Sequence, residues 1–213
     1  MKKKYIIVLI IAICAVLTIG IAALAGYDSD AMRAGAAYRE ASEDSSGKVA
    51  AVYRGEEILM SVVQYEKDLL FMRDASGQAA RQSERDIVDR IVESMIMLDE
   101  AEKRGLLATN EEIAEMVENT KHAYEMPDGK KQMDEYFEAA GLTADEYFAQ
   151  IEQQAPNVIA RQKLRDQIAE EYCKEHGMEY TKVNTPQEVL DAVDSYIASL
   201  LEEGKKDIVY YVD

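Results

Sequence analysis

Apolar residues recur at helical spacing from Val62 through Tyr65, Leu69 and Met72, and the same period returns in five later segments. Residues 84–104 carry Ile87, Ile91, Met95 and Leu98 on one stripe. Val88, Val92 and Ile96 widen it into a face broad enough to be packed on both sides. Residues 110–124 present Ile113, Met116, Val117 and Tyr124. A short helix then brings Met133, Tyr136 and Phe137 to Gly141, and a fifth begins after Thr143 with Tyr147, Phe148 and Ile151. That fifth helix continues through Leu164 and Ile168 to Gly177, with Pro156 expected to kink or divide it, because its ring removes a donor and clashes one turn back. The sixth carries Val189, Val193, Tyr196, Ile197 and Leu200.

The starts and stops are spelled out. Thr109 with Glu112, Thr143 with Glu146 and Thr185 with Glu188 have capping-box spacing, in which hydroxyl and carboxylate satisfy opposite backbone donors; Ser83 with Asp86 is a weaker case. Ser61 is placed to cap the first helix, and Thr185-Pro186 opens the sixth. Gly105, Gly141, Gly177 and Gly204 each close a segment, where the chain is expected to enter a left-handed conformation. Pro127, Asp128 and Gly129 break the third helix.

Two runs have β character. Residues 49–53 end at Arg54-Gly55, and residues 207–213 read Asp-Ile-Val-Tyr-Tyr-Val-Asp. An isolated strand is unstable, so each is the evident partner of the other. The predicted fold is therefore mainly α: a multi-helix domain closed by a small antiparallel β pair formed from the N- and C-terminal strands of its exported part.

Ahead of this domain, Lys2, Lys3 and Lys4 precede an uncharged apolar run over residues 5–25, long enough as a helix to cross ~30 Å of hydrocarbon. Residues 1–26 thus read as a signal-anchor or transmembrane segment. The small-residue pattern Ala23-Leu24-Ala25 keeps a cleaved secretory signal open beside it. The basic end is expected to stay cytoplasmic, which places the rest outside the membrane, or in the secreted fraction after cleavage. Residues 27–47, rich in Ala, Ser, Asp, Glu and Gly, read as a flexible tether, with a transient helix over 31–41. The globular domain is residues 48–213.

All 41 acidic residues lie beyond the apolar run and three of the 24 basic ones precede it, leaving the exported part at about −20. Such a surface disfavours nucleic acid and anionic lipid headgroups as partners. Cys173 is the one cysteine beyond the apolar run, so no disulfide forms within the domain.

No phosphate-binding glycine loop, metal-ligand cluster or nucleophile elbow stands in the sequence, and the reading is of a non-enzyme without a cofactor. His122 and His176 lie singly near helix ends. Glu56-Glu57, Glu111-Glu112 and Glu170-Glu171 read as solvated surface. What exceeds a plain scaffold is Tyr124, Met126, Met133, Tyr136, Phe137, Tyr147 and Phe148, gathered within 25 residues. Met is flexible and polarizable, so a surface of Met and aromatic rings repacks around varied apolar partners. The set is a candidate peptide-binding groove; stripes of this kind also form ordinary cores. A groove burying two or three peptide side chains at ~1.5–3 kcal/mol each, less ordering costs, would bind weakly and reversibly.

Residues 87–121, IVDRIVESMIMLDEAEKRGLLATNEEIAEMVENTK, resemble the helical core of the SurA N-terminal and PrsA-like extracytoplasmic chaperones, related to the chaperone part of trigger factor. The likeness rests on a long apolar helix ending in Glu100-Ala101-Glu102-Lys103-Arg104-Gly105, a short apolar link, and Thr109-Asn110-Glu111-Glu112-Ile113 opening the next helix. Upstream, Val49-Ala50-Ala51-Val52 with Arg54-Gly55-Glu56 and Ile58 resembles the family's opening strand and turn. Downstream, Gly141-Leu142-Thr143 with Glu146-Tyr147-Phe148 resembles its next helix start. The likeness spans roughly residues 48–177. Such proteins commonly hold a parvulin-type prolyl isomerase domain before the final helix; only seven residues separate Gly177 from Thr185, too few for any domain. The resemblance implies holding of unfolded or partly folded exported polypeptides without nucleotide, and with the N-terminal apolar run the reading is of a membrane-tethered extracytoplasmic chaperone-like protein. The alternative is an adaptor or assembly factor for one cell-surface partner; a peptidyl-prolyl isomerase is the remotest reading.

Overall fold

The computed structural model describes residues 28–73 and 82–213. The segment read as a membrane anchor and the loop around Ser76-Gly77 lie outside the described residues. Seven helices and three strands follow in the order α1 (Asp28–Glu43), β1 (Val49–Tyr53), β2 (Glu56–Leu59), α2 (Met60–Arg73), α3 (Glu84–Lys103), α4 (Asn110–Glu125), α5 (Pro127–Ala140), α6 (Ala144–Glu175), α7 (Gln187–Gly204) and β3 (Ile208–Tyr210).

The expected pairing of the two ends is present and forms part of a larger sheet. The strand order is β2-β1-β3, with β3 antiparallel to β1 and Val52 opposite Val209. β2 is a further strand, pairing antiparallel with β1 through a two-residue hairpin loop. Arg54 and Gly55 both have positive φ, 48° and 85°, the combination that matches the twist of a tight hairpin.

Residues 28–43 correct the expectation of a flexible tether over 27–47. They form α1, which packs against α5 with Ala34, Gly35 and Tyr38 buried. Helix α1 has no broad aliphatic stripe because its partner comes too close for one: a Cβ on Gly35 would stand 2.8 Å from Ala139 Cβ and overlap the Tyr136 carbonyl oxygen.

Capping boxes start α3 at Ser83/Asp86, α4 at Thr109/Glu112 and α6 at Thr143/Glu146. The box at Thr185/Glu188 does not form. Pro186 is the N-cap residue of α7, and the Thr185 hydroxyl turns back to donate to the Thr181 carbonyl at 2.9 Å. Ser61 is not a cap either, since α2 begins one residue earlier, at Met60. Gly105, Gly141 and Gly177 are left-handed, as expected. Gly204 is not: its φ is −79°, and a Cβ there would press on Ile96 Cδ1 where α7 crosses α3. Pro156 neither ends nor splits α6, which runs 32 residues through it.

Three cores result. Aliphatic residues of β1, β2, α2 and α3, among them Ile58, Val63, Ile87 and Val92, fill the first together with Ile208 of β3. The second joins α3, the end of α6 and α7 through Met97, Leu164, Cys173 and Val193. The third, made by α1, α2, α5 and the start of α6, is predominantly aromatic.

Candidate functional site

Aromatic residues gather where α4, α5 and α6 meet. Met126 is at once the C-cap of α4 and the N-cap of α5, so the two helices turn with no loop between them. Gly129 makes that corner possible, because a Cβ there would overlap the Ala123 carbonyl oxygen. At the other end of α5, Gly141 at φ 71° and the Thr143 capping box bring Tyr147 back to Phe137 and Phe148 back to Tyr124.

The ring centroids lie 5.1 Å apart for Phe137 and Tyr147, 6.0 Å for Tyr136 and Tyr147, and 5.8 Å for Tyr124 and Phe148. Most pairs are tilted or edge-on, the arrangement that matches positive ring edges to negative faces. Tyr136, Phe137 and Tyr147 are buried among them, and Tyr124, Met133 and Phe148 are half-buried against the same core. Met126 is 50% exposed. The seven residues therefore divide: three are core, three form its rim, and one stands out from the joint.

Two further rings belong to the cluster. Tyr38 of α1 lies 6.2 Å from Tyr65 of α2 and 6.3 Å from Tyr136, and both are buried. Tyr65 was legible as part of a helical stripe; Tyr38 lay in the segment read as a tether. Burial pushes the Tyr136 hydroxyl well above the usual phenol range, with Tyr65, Tyr147 and Tyr38 adding to the shift, and burial alone does the same to Tyr147. These hydroxyls stay neutral and serve packing.

The rim is amphipathic. Lys130 lies 4.9 Å above the Tyr124 ring, donates to its hydroxyl at 3.1 Å and pairs with Asp134 at 2.6 Å. The Tyr124 hydroxyl donates to Asp134 at 2.8 Å, and Lys121 lies 5.8 Å from the Phe148 ring centroid. The aromatic faces are thus covered by the side chains of Lys130 and Lys121, whose stems pack on the rings while their ammonium groups stay at the surface.

Elsewhere, a hollow of about 110 Å³ lies between β1, α3 and α7, lined by Tyr53, Arg54, Asp99, Lys103, Gly204 and Lys206 among others. No group of three or more His, Cys, Asp or Glu among the described residues is placed to hold a metal. His176 caps α6 with its ring stacked 4.0 Å from Tyr172, and His122 lies 3.8 Å from Glu125, both exposed at helix ends. No helix among the described residues is long and apolar enough to cross a membrane.

The model of one protein family, described as SurA-like N-terminal domain, matches residues 1–165 of the 213. The match takes in the N-terminal apolar segment and α1 and ends inside α6. No curated protein and no solved structure matches the chain.

Proposed function

The chain belongs to the family of SurA-like N-terminal domains, and from that membership we propose that it is a membrane-tethered, extracytoplasmic holding chaperone for unfolded or partly folded exported polypeptides. The apolar run over residues 5–25, with Lys2, Lys3 and Lys4 before it, supports the tether and the orientation. Clients are held at the rim of the aromatic core by Tyr124, Met126, Met133 and Phe148, while Tyr136, Phe137 and Tyr147 hold that rim in place. The observation that carries this reading is the joint of α4 and α5, where a half-exposed Met126 follows Tyr124 by two residues and cationic chains cover the neighbouring rings. Binding there is passive and needs no cofactor. The negative charge of the remaining surface keeps a loaded complex soluble.

The test is suppression of aggregation of a chemically unfolded protein by the full chain in nanodiscs, beside the variant Met126→Ser/Phe148→Ser. Loss of suppression with an unchanged circular dichroism spectrum supports the rim. A wild-type chain that suppresses nothing at equimolar ratio ends the reading. Crosslinking in cells addresses the adaptor alternative: heterogeneous adducts favour the chaperone, a single defined adduct the adaptor.

A further inference from the structure

We propose that the outer edge of β3 is a strand-addition site for an extended polypeptide segment of alternating apolar residues with Lys or Arg at its ends. The site is separate from the aromatic rim and does not depend on clients binding there.

The order β2-β1-β3 leaves β2 and β3 as the two edges. The Tyr211 N–H donates to the Ala50 carbonyl at 2.8 Å and the Arg54 N–H to the Asp207 carbonyl at 3.5 Å, so residues 207, 209 and 211 turn their backbone groups toward β1. By alternation, Ile208 and Tyr210 turn theirs outward. The Ile208 N–H is taken by the Lys205 carbonyl in the preceding turn. The Ile208 carbonyl and both backbone groups of Tyr210 are left facing out from the sheet.

The two edges differ in chemistry. β2 carries Glu56 and Glu57, charges of the kind that discourage strand pairing. Residues 208–212 read Ile-Val-Tyr-Tyr-Val, with no charge and no proline. On the face away from the core, Val209 is 53% and Tyr211 62% exposed. The opposite face fixes the strand: Ile208 is buried, the Tyr210 hydroxyl donates to Asp89, and the Arg85 guanidinium lies 3.9 Å from the Tyr210 ring centroid. A strand held this way is preorganised to template another.

Charge selects the occupant. A second copy pairing antiparallel about Tyr210 would set Asp207 against Asp213 at both ends of the new ladder, between chains of net charge −17. Like charges directly opposite are destabilising. The same two aspartates favour a strand ending in Lys or Arg, although Asp207 already accepts from Arg54 through one oxygen at 3.1 Å.

The probe is a synthetic heptapeptide, Lys-Thr-Val-Tyr-Val-Thr-Lys, whose ends fall opposite Asp207 and Asp213 when its Tyr pairs with Tyr210, compared with its Glu-ended counterpart on the full chain in nanodiscs. The Lys-ended peptide is expected to bind, to weaken as salt rises, and to slow hydrogen exchange over residues 208–212. The variant Val209→Lys/Tyr211→Lys is expected to bind it roughly tenfold more weakly, the ratio that two lost cross-strand contacts and two like charges amount to. Equal binding of the two peptides, unchanged exchange over 208–212 in the wild-type chain, or sedimentation as a β3-dependent dimer would each overturn the proposal. The exchange measurement needs no variant, so a misfolded substitution leaves the outcome decidable.

Discussion

Gly35 lies against the carbonyl oxygen of Tyr136, so close that any side chain at 35 would meet the backbone of α5. The contact joins the first described helix to the aromatic core, since Tyr38 follows one turn later and is buried beside Tyr65 and Tyr136. The atom in the way is backbone, so relief requires α1 to move. Gly35→Val is expected to destabilise the chain by about 1–3 kcal/mol, the usual range for overpacking. Urea denaturation should show the loss, together with faster amide exchange over residues 34–38. A variant as stable as wild type would mean that α1 is not docked.

Arg54 holds φ 48° at the hairpin loop while pairing with Asp99 at 2.8 Å and Asp207 at 3.1 Å. All three side chains are substantially exposed, so the ion pairs contribute little, whereas a left-handed backbone costs an ordinary residue roughly 1–2 kcal/mol. Arg54→Gly should therefore raise stability slightly in thermal denaturation, the relieved backbone outweighing the lost pairs. Arg54→Val should lower stability, because a branched Cβ tolerates that conformation worst. If both variants lose equally, the ion pairs outweigh the backbone.

Core and rim should also separate by mutation. Phe137→Ala empties space inside the aromatic core and is expected to cost about 3–5 kcal/mol. Met126→Ala at the half-exposed joint is expected to cost less than about 0.5 kcal/mol. Guanidinium midpoints of the two variants decide it; similar losses would mean that Met126 is structural.

What the sequence disclosed was mostly local. The boxes at Thr109/Glu112 and Thr143/Glu146 need only a hydroxyl and a carboxylate three positions apart, and both formed. Thr185 has the same spacing, but Pro186 after it takes the cap position and the hydroxyl bonds backward. The long-range strand pair was legible because residues 49–53 and 207–213 were the two β-type runs and neither is stable alone. Of helix α1 only a transient helix over 31–41 was legible and not its docking, because a helix that packs backbone to backbone selects Ala and Gly, the composition of a tether. Nor could spacing say that Tyr147 is buried while Met126 is exposed; that follows from the turn at Gly129, which depends on a contact with Ala123.

Acid should weaken the fold at its helix starts. Asp86 is held below its ordinary pKa by the Ser83 backbone and hydroxyl, Glu146 by those of Thr143, and Glu112 by Lys163 and then by Thr109. A carboxylate whose folded pKa is depressed adds stability that is fully present above its unfolded value, ~4, and lost as pH falls through the folded one. Glu93 runs the other way, raised mainly by burial, so its cost at neutral pH is relieved on acidification. Asp44, Glu100, Asp134 and Asp166 are depressed as well, so seven described carboxylates stand against one raised, and urea midpoints should drop between about pH 5 and pH 3. Glu146→Gln, which removes the titrating carboxylate, should flatten that drop; an unaltered slope would show that the Glu146 cap does not carry it.

Gln154 is the one polar side chain buried to 1% among the described residues, and its carbonyl oxygen has no hydrogen-bond partner there. An amide oxygen removed from water without a partner costs about 1–3 kcal/mol, and an apolar group of similar shape avoids that cost. Methionine has nearly the same length and volume, and its flexible thioether fits irregular space. Gln154→Met should therefore raise stability by about 1 kcal/mol, near the low end of that range. Gln154→Ala should lower it, since the cavity left beneath α6 outweighs the relieved oxygen. Chemical denaturation of the two variants separates the terms. If the methionine variant is destabilised as much as the alanine variant, the oxygen is satisfied in solution, and a bound water in this part of α6 is the group to look for.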